Sequence, residues 1–61
     1  MILEITAENA PPLGDVRELS AGDELNLHDG WRQRPDWIRY LAAAAHAMGR
    51  GCVIRQGAEN G

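Results

Sequence analysis

The residues that could support metal or thiol chemistry are two histidines and one cysteine. His28, His46 and Cys52 are separated by seventeen and five residues, a spacing that matches no common zinc finger and would need an aspartate as fourth ligand. A nucleophile and base formed by Cys52 with either histidine would lack a third orienting group and an oxyanion hole. We therefore predict no metal, no cofactor and no enzymatic activity.

Paired carboxylates are the other candidates for acid–base chemistry. Asp23 with Glu24, or Asp29 with Asp36, could form such a pair, but neighbouring acids in surface loops are usually solvated. A chain of 61 residues also rarely encloses a pocket that excludes water. The acids are better interpreted as part of a charged surface.

Charge is divided unevenly along the chain. Residues 1–30 carry seven acids and one arginine, for a net charge of −6, whereas residues 31–61 carry five arginines and two acids, for +3. Such polarity can serve internal cohesion, head-to-tail self-association or contact with a charged partner. The candidate acidic contact residues are Asp15, Glu18, Asp23, Glu24 and Asp29. The candidate basic-face contact residues are Trp31, Arg32, Arg34, Arg39, His46 and Arg50.

A chain this short can form only a thin hydrophobic core. Domains of this size bury about 60% of the surface that the unfolded chain exposes, and nine of the hydrophobic residues here are alanine. An isolated copy would be marginally stable, which favours a homo-oligomer, such as a dimer, or a subunit of a heteromeric assembly. The single cysteine and the lack of a signal-like or membrane-spanning run predict a cytoplasmic location without membrane contact.

Three short segments have strand patterns. MILEIT alternates apolar and partly polar positions, residues 23–28 place Leu25 and Leu27 between polar residues, and residues 52–55 are β-branched in part. Before the second segment, we expect one helical turn around Val16. A short helix over 21–28 is the alternative, because Ser20 is followed three residues later by an acid, as in a capping box.

The segment RPDWIRYLAAAAHAMGRG predicts the principal amphipathic helix, over residues 35–49. Pro35 suits a first helical position, and the glycines at 49 and 51 favour its end. At about 100° per residue, the side that we expect to face inward holds Trp37, Leu41, Ala44, Ala45 and Met48, with Ile38 and Tyr40 at its margins. The side that we expect to be exposed and cationic holds Arg39, Ala43, His46 and Arg50.

These elements define a fold class. A strand at 23–28, a helix and a strand at 52–55 have the length of a crossover unit, whose strands are parallel. We predict an α+β, or small α/β, domain over residues 1–56, with about three short strands and one principal helix. Residues 57–61 are predicted to be a flexible tail.

Two resemblances bear on function. The segment from Trp37 to Arg55 resembles the last helix and strand of STAS domains, where an Asp-Ser-Ser-Gly-like turn precedes an alanine-rich helix. Here the turn is Asp29-Gly30-Trp31, without the serine, and the chain is shorter than that fold. In size and acidity the chain also resembles phage inhibitors of host machinery, including anti-CRISPR proteins. The resemblances imply a regulatory fragment or an inhibitor, and they assign no role to any residue.

We predict a non-catalytic protein–protein interaction module. In its inhibitor form, the acidic half covers a nucleic-acid-handling protein by mimicking phosphate. The alternative is a small nucleic-acid-binding or regulatory protein that uses the basic face of Arg39, His46 and Arg50. A helix-turn-helix with its recognition helix over residues 23–30 is excluded, since that segment is acidic.

Overall fold

The fold is known from a computed structural model, which describes residues 1–57. The elements are β1 (Ile2–Ile5), α1 (Leu13–Arg17), β2 (Glu24–Leu27), α2 (Trp37–Gly49) and β3 (Val53–Gln56). One 3₁₀ turn at Trp31–Gln33 precedes α2. None of the helices within residues 1–57 has the length and apolar character needed to cross a bilayer.

The three strands form one parallel sheet in the order β1-β2-β3. In its register, Leu3 lies beside Leu25 and Leu25 beside Ile54. These side chains pack with both helices, and α1 and α2 also pack against each other, so the helices share one face of the sheet. The predicted small mixed fold and its parallel crossover are confirmed.

Within residues 1–57, one face of the sheet carries no helix; we call it the open face, and strand alternation gives its residues. It consists of Ile2, Glu4, Glu24, Asn26, Val53 and Arg55. The hydrophobic core lies on the opposite side of the sheet. The buried hydrophobic residues are Ile5, Val16, Leu19, Leu25, Leu27, Trp31, Tyr40, Ala43, Ala44, Ala47 and Cys52.

The segment before β2 resolves the alternative left by its sequence. Val16 is buried in α1, which follows Pro12, so the predicted helical turn is confirmed and lengthened. Residues Glu24–Leu27 pair with β1 and β3, and the helix considered over 21–28 is therefore wrong. Burial of Leu25 and Leu27 on the core side decides this outcome, because the period-two pattern fits a sheet with one covered face.

The buried side of α2 differs from the predicted one. Its buried residues are Tyr40, Ala43, Ala44 and Ala47. Leu41 is 40% exposed and Met48 is 60% exposed, and Ala45 is exposed as well. The buried face is thus rotated by roughly a quarter turn from the side with the largest apolar residues. Small side chains permit close helix packing, and Ala43, predicted to be exposed, lies within that contact.

The start of α2 also differs from the prediction. The helix begins at Trp37 with Asp36 as its N-cap, so Pro35 precedes it. The Asp36 carboxylate makes no capping bond to the helix amides, because it accepts a hydrogen bond from Arg34 Nε at 3.0 Å. The end of α2 at Gly49 is as predicted. The predicted tail, beyond Gly57, lies outside the described residues.

A tight turn joins α2 to β3 and packs against the loop before β2. Gly51 adopts a φ of 101°, and a Cβ at this position would lie 3.1 Å from Ala21 Cβ. The Ala21 amide also donates a hydrogen bond to the Arg50 carbonyl at 3.1 Å. Both the left-handed backbone and the neighbouring chain therefore require glycine at this position.

We predict that Gly51→Ala lowers the free energy of unfolding by about 1–3 kcal/mol, through backbone strain and the contact with Ala21. The matched control is Gly49→Ala, because no atom lies within 4 Å of the added Cβ in α2. The control should raise that free energy by up to about 1 kcal/mol, since alanine has the higher helix propensity. Urea denaturation followed by circular dichroism measures both. Equal stability of Gly51→Ala and the parent chain would contradict the packing described.

Candidate interaction surfaces

The thiol of Cys52 is not placed for nucleophilic chemistry. The side chain is buried, and burial, with a smaller contribution from the negative charges of Asp23 and Glu24, raises its pKa. A raised pKa keeps the thiol protonated, whereas a nucleophile needs the thiolate. Within residues 1–57, no three His, Cys, Asp or Glu side chains lie together in a way that could hold a metal ion.

The aromatic residues before and at the start of α2 form a packed cluster. Trp31 and Trp37 meet edge to face, with ring centroids 6.1 Å apart. The Arg32 guanidinium lies 5.7 Å from the Trp31 ring and 5.6 Å from the Trp37 ring, within cation–π distance. Trp31 is only 5% exposed, so its ring belongs to the core and is not available as the exposed contact considered from the sequence.

Arg34 connects the loop after β1 with the start of α2. Its guanidinium donates to Asp36 Oδ1 at 3.0 Å and to the Thr6 carbonyl at 3.3 Å. It also lies 5.3 Å from the Tyr40 ring. The hydrogen bond from Arg34 is the main reason that the pKa of Asp36 is lowered. Arg34 is half-buried, and these contacts give it a structural role.

The candidate acidic residues do not form one surface. Asp15, Glu18 and Asp23 line a cleft of about 270 Å³ beside the outer edge of β1, together with the apolar side chains of Met1 and Leu3. We call this the acidic cleft. The Asp23 carboxylate accepts a hydrogen bond from the Ser20 amide to Oδ2 at 3.0 Å and one from the terminal ammonium of Met1 to Oδ1 at 3.0 Å. These contacts, the Ser20 amide foremost, lower the pKa of Asp23.

The other two acids lie elsewhere. Glu24 is on the open face, where its Oε1 lies 3.1 Å from Arg55 Nε. Asp29 is at the carboxyl end of the sheet, beside a cleft of about 400 Å³ that His28 and Gln56 also line. Ligands of parallel α/β sheets bind at this end, but His28 is engaged with Glu4 across the open face at 2.5 Å. The acidic half therefore has three separate locations.

A groove between α1 and α2 collects positive charge. Arg39 and His46 of α2 line it with Arg17 of α1, and its volume is about 400 Å³. We call this the cationic groove. Among residues 1–57, these three side chains have no ion pair with a carboxylate. Arg50 caps the end of α2 and is not part of the groove. Sequence reasoning missed Arg17 because it lies in the acidic half.

The outer side of β3 carries an exposed apolar surface. Leu41, Ala45 and Met48 of α2 line a cleft of about 140 Å³ with Ile54 and Gln56 of β3. These five residues are called here the apolar edge. They include three of the side chains predicted to face inward, Leu41, Ala45 and Met48, which remain exposed because no strand of the described chain lies beyond β3.

The main chain of β3 adds hydrogen-bonding groups to this edge. The Val53 amide donates to the main-chain carbonyl of Asp23, on the β2 side, at 3.1 Å. The Gly57 amide donates to the main-chain carbonyl of Leu27 at 2.7 Å. Alternate residues of a strand direct their amides and carbonyls to opposite sides. The main-chain groups of Ile54 and Gln56 therefore point away from β2, and their side chains line the cleft under α2.

Comparison of the chain with protein-family models, with curated proteins and with solved structures found no match. The resemblances to STAS domains and to phage inhibitors therefore gain no support from relatives.

We predict that Arg34→Ala destabilises the fold at neutral pH, since it removes the contacts to Asp36, to the Thr6 carbonyl and to the Tyr40 ring. Arg39→Ala is the control on the same helix, because Arg39 is exposed and makes no ion pair within residues 1–57. Thermal unfolding should give a lower midpoint for Arg34→Ala and a nearly unchanged one for Arg39→Ala. Equal midpoints would show that the Arg34 contacts do not contribute.

The same pair predicts a pH dependence. The pKa of Asp36 in the folded chain is below its unfolded value of about 3.9. The ionised carboxylate therefore stabilises the fold above the unfolded pKa, and this contribution is lost as pH falls through the folded pKa. The gap in stability between the parent chain and Arg34→Ala should be largest near neutral pH and narrow in acid. A gap that stays constant down to acidic pH would contradict this assignment.

Proposed function

We propose that this chain is a non-catalytic protein-binding module that engages its partner through the apolar edge. The supporting observation is the exposure of Leu41 and Met48 on α2, which line a cleft with Ile54 and Gln56 of the edge strand β3. Exposed edges with unpaired main-chain groups accept additional strands, and natural proteins that have no use for such an edge usually cover it or place charges on it. Here the apolar side chains of Leu41 and Met48 occur together with outward amides, and the charge on β3, Arg55, lies on the open face.

The chemistry of the apolar edge favours an extended partner segment. Main-chain groups of Ile54 and Gln56 can form a ladder with an added strand, as in β-augmentation. Alternate side chains of that strand would then point toward Leu41 and Met48, because the period of a strand is two. The partner segment should therefore carry an apolar residue at every second position.

The inhibitor form of this function rests on the acidic cleft. Asp15, Glu18 and Asp23 are the acids that could together meet the cationic channel of a nucleic-acid-handling protein. Glu24 and Asp29 lie outside this cleft, so a phosphate mimic would rest on three carboxylates and not on five.

Nucleic-acid binding is the second candidate, and the cationic groove is the observation that favours it. Arg17, Arg39 and His46 surround a concave surface whose other residues are small or apolar, so a phosphate group could approach them closely. Three contacts would give weak binding with a modest dependence on salt. The net charge of −3 opposes it.

We predict that a random peptide display library yields binders with alternating apolar residues, and that these bind at the apolar edge. The double substitution Leu41→Asp with Met48→Asp should weaken their binding at least about tenfold, or ~1.4 kcal/mol, because it places charges where apolar side chains would be buried. Both positions are exposed in the isolated chain, so the variant should still fold. Titration by fluorescence anisotropy measures the affinity.

Arg39→Ala serves as the control for this experiment, since Arg39 lies on another side of the same helix. It should bind the selected peptides like the parent chain. Peptides that bind the double variant equally well, or a library that gives no alternating pattern, would refute the apolar edge as the contact surface.

Nucleic-acid binding has its own test. If the cationic groove contacts phosphate, labelled single-stranded DNA should bind at low salt, with a logarithmic salt slope of about −1 to −2. Arg17→Ala and Arg39→Ala should each reduce the affinity and the slope, whereas Arg50→Ala, outside the groove, should change neither. Absence of binding at low salt, or equal effects of all three substitutions, would rule out this second candidate.

A further inference from the structure

The two outer edges of the sheet have complementary main-chain patterns. On β1, the Met1 carbonyl accepts a hydrogen bond from the main-chain amide of Glu24 at 2.9 Å, and the Ile5 carbonyl accepts one from the main-chain amide of His28 at 2.9 Å. By alternation, the main-chain groups of Ile2 and Glu4 point away from the sheet. On β3, the outward groups belong to residues at the apolar edge, Ile54 and Gln56.

We propose that the occupant of the apolar edge is the β1 strand of a second copy of this chain, added parallel to β3. This inference rests on the proposed function, because it assigns a partner to the same surface. The second copy would continue the sheet with its strands in the same direction, because β1 pairs with β2 in parallel and β2 pairs with β3 in parallel within one chain.

The hydrogen-bond geometry is compatible with this pairing. In a parallel ladder, a residue that faces its neighbour bonds to the two residues flanking its register partner. With Leu3 of the second copy as the partner of Ile54, those flanking residues are Ile2 and Glu4 of the second copy. These are the β1 residues whose main-chain groups point outward. The register equals the one that already relates β1, β2 and β3.

The side chains of the two edges match in the same register. Ile2 is 61% exposed and Val53 is 51% exposed, and the pairing would place them side by side on the open face. It would also place Glu4 beside Arg55, a pair of opposite charge, and such cross-strand pairs favour their register. A shift of the register by two residues would instead put Ile2 beside Arg55. Neither the apolar pair of Ile2 with Val53 nor the charged pair of Glu4 with Arg55 would then form.

The helix layer is consistent with this arrangement. Leu41 and Met48 line a cleft with Ile54 on the β3 side, so they would face the outer side of the second copy's β1. That side carries the acidic cleft, where Met1 and Leu3 provide apolar surface. Arg50, at the end of α2, lies at the amino end of β3. Arg50 of one copy would therefore lie at the same end of the sheet as the acidic cleft of the next.

The association is head-to-tail, and this property distinguishes it from a two-fold dimer. A different surface is used on each copy, so every added copy presents a new β1 edge or β3 edge. The assembly would therefore grow with concentration, or close into a ring, and would not stop at two copies through a symmetric contact of β3 with β3.

The test uses charge reversals on the two edges. Glu4→Arg places like charges beside Arg55 of the next copy, and Arg55→Glu does so beside Glu4. Each variant alone should associate at least about tenfold more weakly than the parent chain, or ~1.4 kcal/mol. An equimolar mixture of the two variants should restore association. The changed β1 edge of Glu4→Arg then meets the changed β3 edge of Arg55→Glu, which carries the opposite charge, and the two unchanged edges form the native pair. Sedimentation velocity over a concentration series measures the mass of each sample.

Rescue in the mixture separates a lost interface from a lost fold, since unfolded variants could not restore each other. Gln56→Pro gives an independent check. It removes an outward amide and leaves the bonds between β2 and β3 in place, so it should also weaken association. If either single reversal associates like the parent chain, or if the mixture fails to restore association, the proposed pairing is overturned.

The outcome also separates this inference from the proposed function. A parent chain that stays monomeric at all concentrations, but binds alternating apolar peptides in a Leu41-dependent manner, overturns self-association and supports a partner of another sequence. A chain that neither associates nor binds such peptides overturns both. A dimer that is unaffected by Glu4→Arg would indicate symmetric pairing of two β3 strands instead.

Discussion

Close packing of α2 through alanine side chains is the constraint on which the rest of the structure depends. Ala43 faces α1 and Ala44 faces the sheet, so one helix contacts two neighbours at short distance. Because the alanine side of α2 packs against these neighbours, Leu41 and Met48 remain exposed beside β3.

The parallel sheet adds a second constraint, because each pair of neighbouring strands is joined by a helical crossover, and both crossovers lie on the same face of the sheet. In the part of the chain that the structure describes, the three strands have two outer edges and an open face that no helix covers, whereas parallel sheets are usually covered on both faces. A contact between Glu4 and His28 and an ion pair between Glu24 and Arg55 occupy part of the open face. Polar pairing makes this face compatible with water, and it leaves the edges as the surfaces best suited to a protein partner.

Charge has several roles in this chain, and only some of them concern partners. Arg34 and Asp23 hold loops in place through short contacts with main-chain atoms. Arg17 and Arg39 are directed into a groove and make no ion pair within residues 1–57. Counting charges along the chain could not separate these roles, because the distinction depends on which residues the loops and helices bring together.

Local patterns alone indicated the type and order of the three strands and of α2, but not the start of α2 or the 3₁₀ turn before it. Alternation at Leu25 and Leu27 indicated a strand, and the glycines near 50 indicated the end of α2, because both signals act over a few residues. Tertiary structure alone decided which side of α2 is buried. Residue size pointed to Leu41, but the helix turns its alanines inward, since helix–helix and helix–sheet distances are set by the neighbours and not by the helix itself. The apolar edge and the cationic groove follow from that rotation, which no local signal contains.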